Sequence, residues 1–263
     1  MTAQDSPAQD SPAPEGAAQE GAAPDRAPRD DRAAWPRQLR LPGQAAAPDG
    51  PVDMRMMYLM HHGFRRDLDA FAAAVRATPV ADRRAWRLLT ERWDLFATVL
   101  HHHHTAEDEH VWPALVSLGA ADDVVVLEAM AAEHDEIDPL LESCAAGFRR
   151  LADRADEDTR AALAVRVCAA RESLRRHLGH EETAAIAIVQ RLVDAEQWAA
   201  IEEEIGRGGT LREAVRVVPW VGHGLTREVR ERVFHDLEAP VRVIWRLTHR
   251  RFARREARVF RYA

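Results

Sequence analysis

Apolar side chains recur at alternating spacings of three and four residues along four consecutive stretches between Pro51 and about Leu192. This spacing is typical of helices that bury one face against their neighbours. The connections between the four stretches are short, and none of the stretches shows the sustained alternation of a strand. The pattern therefore predicts an all-α fold built on an antiparallel four-helix bundle.

Helix breakers and caps delimit the predicted helices. The first stripe stops at Thr78-Pro79, and the second ends near Pro113. Asp122 and Asp158 are the predicted N-caps of the third and fourth helices, because a carboxylate at that position accepts a hydrogen bond from a free N–H of the first turn.

Composition changes at both ends of the bundle, which we place at residues 51–192. Residues 1–50 consist largely of Ala, Pro, Asp, Gln and Gly. They are predicted to be disordered, since they bury too little to offset their ordering entropy, and only the stretch from Trp35 to Leu41 is expected to dock. Residues 193–263 are helical again, less regular and rich in arginine towards their end, and we interpret them as a helical extension that packs on the bundle.

Composition also excludes several classes of protein. Two cysteines in 263 residues, Cys144 and Cys168, exclude a disulfide scaffold and any all-cysteine metal site. No apolar run approaches the ~20 residues of a membrane span, and the N-terminus lacks the apolar core of a secretory signal. A net charge of −7 argues against nucleic acid as the main partner. We expect a cytoplasmic protein that does not enter a membrane.

Histidine is the residue whose distribution needs an explanation, because ten of the thirteen histidines fall between His61 and His180. A His and a Glu four residues apart lie about 40° apart around a helix axis, so both side chains point the same way. That pair occurs twice, on two different predicted helices. With two further histidines, the groups on the apolar stripes are His61, His103, Glu107, His134, His177 and Glu181.

Six such groups in an apolar interior are costly unless a cation lies among them. Two metal ions bridged by the two carboxylates would answer that cost, and mixed nitrogen and oxygen ligation suits iron or manganese better than a closed structural zinc site. Any one of these histidines alone is more often an ordinary core or surface residue. That ordinary interpretation does not explain six groups in phase with a repeated His-x3-Glu spacing.

The same segments carry a family resemblance. They are HHGFRRDL at 61–68, HHTAEDEHVWPAL at 103–115, EHDEID at 133–138 and HLGHEE at 177–182. Over about residues 52–190 the chain resembles hemerythrin-like proteins of the HHE cation-binding family. The resemblance implies a four-helix bundle with a non-haem di-iron centre. It assigns His61, His103, His134 and His177 as terminal ligands and Glu107 and Glu181 as bridges.

One position departs from the best-known oxygen-carrying members of that family, which have a second histidine four residues after the first on the third helix. Here that position is Asp138. The change leaves one iron with an additional position for water, substrate or a weak contact from Asp138, unless His104, His110 or His180 takes the place of the missing imidazole. It favours reactions with peroxide, nitric oxide or dioxygen over reversible carriage alone.

Three neighbouring residues are secondary candidates. Asp108 and Glu182 follow the two bridging positions and either orient ligands or face solvent. Tyr58 lies one turn before His61 and either hydrogen-bonds into the site or packs at the end of the bundle.

The leading hypothesis is a protein with two iron ions, or manganese in their place, that binds dioxygen, peroxide or nitric oxide. Its catalytic residues, if it has any, are not indicated by the sequence, and neither is a protein partner. The first alternative is an enzyme, a di-iron peroxidase, catalase-like protein or oxidase. The second, from another class, is a metal-independent helical protein that uses residues 193–263 as its interaction surface.

Overall fold

The computed structural model of the chain describes residues 34–207, 209–235 and 237–263, which form eight helices and no strand. Four helices make the bundle: α1 (Arg55–Ala77), α2 (Arg83–Ala106, continued by Glu107–Val111 and Trp112–Val116), α3 (Ala121–Asp153) and α4 (Glu157–His180, continued by Glu181–Ala185 and Ile186–Leu192). The helices that follow are α5 (Ala195–Gly206), α6 (Leu211–Val221), α7 (Arg227–His235) and α8 (Ala239–Val259). The all-α prediction is confirmed. Among the described helices, none combines the length and the apolar character that a membrane span requires.

The caps of α3 and α4 differ from the predicted ones. Asp123, not Asp122, closes the start of α3, where its carboxylate accepts a hydrogen bond from the backbone N–H of Ala120 at 3.0 Å. Asp156, not Asp158, is the N-cap of α4. Asp122 and Asp158 lie instead in the first turns, where a negative charge is favourable beside the positive end of the helix dipole.

The bundle helices are held together by the apolar stripes that the sequence predicted. Within the bundle, α2 packs against α3, α3 against α4, and α4 against α1. Away from the histidines the interior is aromatic. The Phe71 ring lies 4.9 Å from that of Trp93 and 5.5 Å from that of Phe148, measured between ring centroids. This aromatic layer buries large side chains from α1, α2 and α3 and fixes the relative heights of the helices.

The segment before α1 lies against the bundle. Residues 1–33, the larger part of the stretch predicted to be disordered, are outside the described residues. Leu39, Leu41 and Ala47 are buried, and the Gln38 amide donates a 2.8 Å hydrogen bond to the carbonyl of Val52. The docking expected of Trp35 to Leu41 is therefore observed. It extends to Ala47, so the ordered part of the chain begins before the predicted boundary at residue 50.

The helices after the bundle are joined to it by a buried network of charges. Asp67 of α1 accepts hydrogen bonds from Arg92 of α2 at 2.6 Å and from the Trp220 indole of α6 at 2.7 Å. Arg92 in turn donates to Glu256 of α8 at 2.8 Å. The Trp220 ring fits because α1 has a glycine at position 63, where a Cβ would lie only 2.7 Å from it.

We expect Glu256→Ala to destabilise the protein by about 2 kcal/mol, because it removes one of the two buried carboxylates that accept hydrogen bonds from Arg92, while Asp67 continues to pair with it. The measurement is the free energy of unfolding in urea. The matched control is Arg255→Ala, which breaks the adjacent but exposed ion pair between Arg255 and Glu91. Exposed pairs contribute little, so equal losses in the two variants would contradict this assignment.

Asp67 also predicts a pH dependence. Burial alone would raise the pKa of this carboxyl, but Arg66, Arg92 and the Trp220 indole outweigh burial and lower it below the ordinary 3.8. A depressed pKa stabilises the folded state above the unfolded-state pKa, and that contribution is lost as the pH falls through the folded-state pKa. The stability difference between the wild type and Asp67→Asn should stay constant from about pH 8 to pH 5 and shrink only in stronger acid. A difference that shrinks already near neutral pH would contradict the prediction.

Candidate metal centre

All six groups that the sequence placed on the bundle axis meet in the interior. They come from all four bundle helices: His61 from α1, His103 and Glu107 from α2, His134 from α3, and His177 and Glu181 from α4. His103 has the most exposed side chain of the six, and it is only 8% exposed.

A seventh residue, His104, joins them. Its ring is buried and stacks on that of His134, with the ring centroids 3.9 Å apart. Neither ring nitrogen of His104 has a hydrogen-bond partner among the described residues. The seven residues form two clusters, and within each cluster the candidate ligand atoms lie within 4.8 Å of one another. Cluster 1 consists of His61, His103, Glu107 and Glu181, and cluster 2 consists of His104, His134 and His177.

The two carboxylates lie between the clusters. One oxygen of Glu107 is 3.2 Å from His103 Nε2, and its other oxygen is 3.6 Å from His134 Nε2. Oε2 of Glu181 is 3.0 Å from His61 Nε2 and 3.8 Å from His177 Nε2. Each carboxylate therefore faces imidazoles of both clusters, which is the placement that a bridging ligand requires.

Helical geometry explains why consecutive histidines go to different clusters. Along α2, His103 lies four residues before Glu107 and His104 lies three residues before it. These offsets place the two rings about 40° and about 60° from Glu107 around the axis, on opposite sides. The sequence thus contained a signal for His104, a His-x2-Glu spacing that overlaps the His-x3-Glu pair.

Both carboxylates begin a wide helical turn. The backbone N–H of Trp112 donates to the carbonyl of Glu107, five residues earlier, and Ile186 does the same to Glu181. Such π turns insert an extra residue into the helix and are frequent at functional sites. Their occurrence at the two equivalent positions marks Glu107 and Glu181 as the paired features of the site.

The residue that follows each of these glutamates is also acidic, and its carboxylate contacts a histidine on another helix. Glu182 accepts from His61 Nδ1 at 3.0 Å, and Asp108 does so from His134 Nδ1 at 3.0 Å. A carboxylate only accepts, so these rings donate from Nδ1 and turn Nε2 inward. Of the two expectations for Asp108 and Glu182, orientation of ligands agrees with this geometry.

The Glu182 carboxylate accepts further hydrogen bonds from outside the centre. Arg65 donates two hydrogen bonds to it, at 2.7 and 2.9 Å, and the backbone N–H of Ala45 donates a third at 2.6 Å. The segment before α1 is thus tied to the centre. A carboxylate with this many donors stays ionised, and the pKa of Glu182 is lowered although burial opposes this.

Glu133 contacts the ring of His177 on α4 in the same way, and the sequence did not single it out. Its two oxygens accept from His177 Nδ1 and His180 Nδ1, both at 2.8 Å. His180 therefore lies outside both clusters. Asp138 is exposed and also lies outside them. Of the three candidates for the missing imidazole, only His104 lies in a cluster.

Tyr58 is buried, but its hydroxyl has no hydrogen-bond partner among the described residues. Burial and the charge of Glu182 raise the pKa of this phenol, so it stays neutral. Packing at the end of the bundle describes it better than a hydrogen bond into the site.

The interior keeps most of the imidazoles neutral, which is the form that binds metal ions. Burial and the neighbouring His61 lower the pKa of His103 to about 3, and burial also lowers the pKa of His104 and of His134. His61 is the exception, because its pairing with Glu181 outweighs burial and raises its pKa to about 9. Burial and the charge of Glu181 raise the pKa of Glu107.

The unsatisfied atoms decide whether this arrangement fits a metal. Both oxygens of Glu107, both oxygens of Glu181, and Nε2 of His61 and of His103 are buried without a hydrogen-bond partner among the described residues. Buried polar atoms are almost always paired in folded proteins, so this concentration needs a cation that accepts their lone pairs. The residues present fit a metal.

Comparison with known proteins agrees with this geometry. The model of the hemerythrin HHE cation-binding domain matches residues 52–189, more than half of the 263-residue chain. No curated protein and no solved structure matches the chain. The matched range covers the bundle except its last three residues and includes every residue of both clusters, and the chain therefore belongs to the hemerythrin HHE cation-binding domain family.

Proposed function

We propose that the two clusters hold a pair of iron ions and that the protein binds dioxygen or a related small molecule, peroxide or nitric oxide, at this pair. The observation that carries the proposal is the position of Glu107 and Glu181, each of which faces imidazoles of both clusters with unsatisfied oxygens. When bound, an iron pair supplies the electrons that reactions of these small molecules need. Manganese takes the same donors and is the alternative that metal analysis distinguishes.

The proposed ligands are the six predicted residues with His104 added. His104 supplies a third imidazole to cluster 2, so Asp138 does not leave that cluster short of donors. Cluster 1 has two imidazoles, His61 and His103. We therefore assign the open position for the small molecule to cluster 1.

The surrounding carboxylates orient the ligands. Glu182, Asp108 and Glu133 hold the Nδ1 protons of His61, His134 and His177 respectively, so each ring presents its Nε2 lone pair to the centre. The apolar stripes of the bundle exclude water from the interior, which strengthens every electrostatic contact there.

A di-iron peroxidase, catalase-like protein or oxidase is the second candidate, and the cavity described below, which reaches His103 and Glu107, favours it. Catalytic consumption of peroxide, many molecules per chain, distinguishes this enzyme from a binding protein. A metal-independent interaction protein would fold equally well without metal.

We also propose a cytoplasmic location. It agrees with the observation that Cys144 and Cys168 are free thiols and form no disulfide bond.

The first test is metal content. Wild-type protein purified without nickel resin should contain about two iron ions per chain and show an absorption band that changes on reduction. Glu181→Ala removes a group shared by both clusters and should abolish the pair. His104→Ala removes a donor of cluster 2 alone, so its iron content should fall towards one ion.

The matched control is His101→Ala, which removes an exposed histidine of the same run and should leave the iron content unchanged. An unchanged metal content in Glu181→Ala would overturn the assignment. If His104→Ala also kept the full content, the seventh ligand would be wrong while the six-residue centre remained.

Glu133→Ala should weaken iron retention about 10- to 100-fold, because the loss of an orienting carboxylate frees the His177 ring. Competition with a chelator measures this. Glu136→Ala, which removes an exposed carboxylate one turn further along α3, is the control and should behave as wild type. Equal retention in the two variants would show that Glu133 does not position His177.

A further inference from the structure

A cavity of about 550 Å³ lies beside the metal centre. It forms on the side where α5 and α6 approach α1 and α2. His103 and Glu107 of cluster 1 are among its lining residues. A molecule in this cavity would therefore touch the candidate centre directly.

The volume is much larger than the proposed small ligands need. A water molecule occupies about 30 Å³ of liquid, and dioxygen, peroxide and nitric oxide are of similar size. Cavities of about 300–1,000 Å³ are instead typical of sites for organic molecules. The cavity is thus larger than dioxygen, peroxide or nitric oxide alone would need.

Its walls are mainly hydrocarbon and thioether. The apolar lining includes Met57 and Met60 of α1, Val99 of α2, Trp198 of α5 and Val217 of α6. Methionine side chains are flexible and polarisable, so they adapt to apolar molecules of different shapes. This surface favours an occupant that is predominantly hydrocarbon.

The charged groups indicate an occupant without an anionic group. Two carboxylates, Glu202 and Glu213, and one guanidinium, Arg216, line the cavity, and all three residues are exposed. The third carboxylate, Glu107, lies at its buried end. An anionic amphiphile would meet three carboxylates against one arginine, which is unfavourable.

Residues 1–33 do not suit the cavity by composition. They contain seven carboxylates and, apart from Met1, no large apolar side chain. A foreign organic molecule fits the apolar lining better than this segment of the chain.

From this volume, lining and charge, we propose that the cavity binds a predominantly hydrocarbon molecule that has no anionic group and reaches His103 and Glu107. Binding itself does not depend on metal. Contact with a bound iron pair rests on the proposed function and deepens it, because it makes an apolar organic molecule the partner or substrate of that centre.

The test uses the full chain and N-phenyl-1-naphthylamine, a neutral apolar dye that fluoresces in apolar surroundings. Saturable binding is expected in both chelator-treated and iron-loaded protein. 1-Dodecanol should displace the dye, and dodecanoate should do so at least about ten-fold less effectively, which corresponds to about 1.4 kcal/mol. No saturable binding, or displacement by dodecanoate equal to that by dodecanol, would overturn the proposal.

Filling the cavity gives the matched comparison. Val217→Trp should weaken dye binding at least about ten-fold, since overpacking costs about 1–3 kcal/mol. Val165→Trp, at a position of α4 that is 71% exposed, is the control. Ile205→Trp, at a position at the cavity that is 38% exposed, provides a second variant should Val217→Trp fail to fold. Equal binding by Ile205→Trp and Val165→Trp would overturn the site.

The contact with the centre has its own readout. In iron-loaded protein, saturating 1-dodecanol should shift the visible absorption, because it changes the packing and polarity beside His103 and Glu107. An unchanged spectrum would overturn that contact while leaving the cavity as a binding site. Dye binding by a chain that takes up no iron would support the cavity and count against the proposed iron centre, so the two failures are distinguishable.

Discussion

Glu107 and Glu181 lie buried in the interior of an apolar helical bundle, with imidazoles from all four bundle helices around them. Two carboxylates in such a place destabilise a fold unless positive charge compensates them. The histidines alone do this only in part, because burial keeps His103 and His104 neutral. The outer carboxylates, the wide helical turns and the unsatisfied atoms all follow from placing these two groups where a cation can be held.

The rest of the chain supports that interior from outside the bundle. The segment before α1 donates a backbone N–H to Glu182, which orients His61. On the opposite end of the chain, the Trp220 ring of α6 packs against Phe64, whose ring lies 5.1 Å from that of His103. Helices outside the four-helix bundle thus reach the ligands through one intervening side chain, and the same helices enclose the apolar cavity.

Individual residues show how far the sequence could be taken. The periodic stripes predicted the bundle helices, and the repeated His-x3-Glu spacing predicted six residues that the structure brings together, because both depend only on helical repeat. Glu133 could not be predicted, since its role depends on how α3 is rotated against α4. The docking of residues 42–47 was missed because isolated apolar side chains such as Ala47 have no periodic pattern.

The sequence by itself determined the helices, the face that each one buries and the kind of donors on that face, since these depend on contacts within a turn or two. Tertiary structure decided that His104 joined His134 and His177 in one cluster, which carboxylate contacted which ring, and where the cavity formed. These depend on distances between helices far apart in the chain. Packing of large side chains such as Trp220 sets those distances, and local spacing does not encode them.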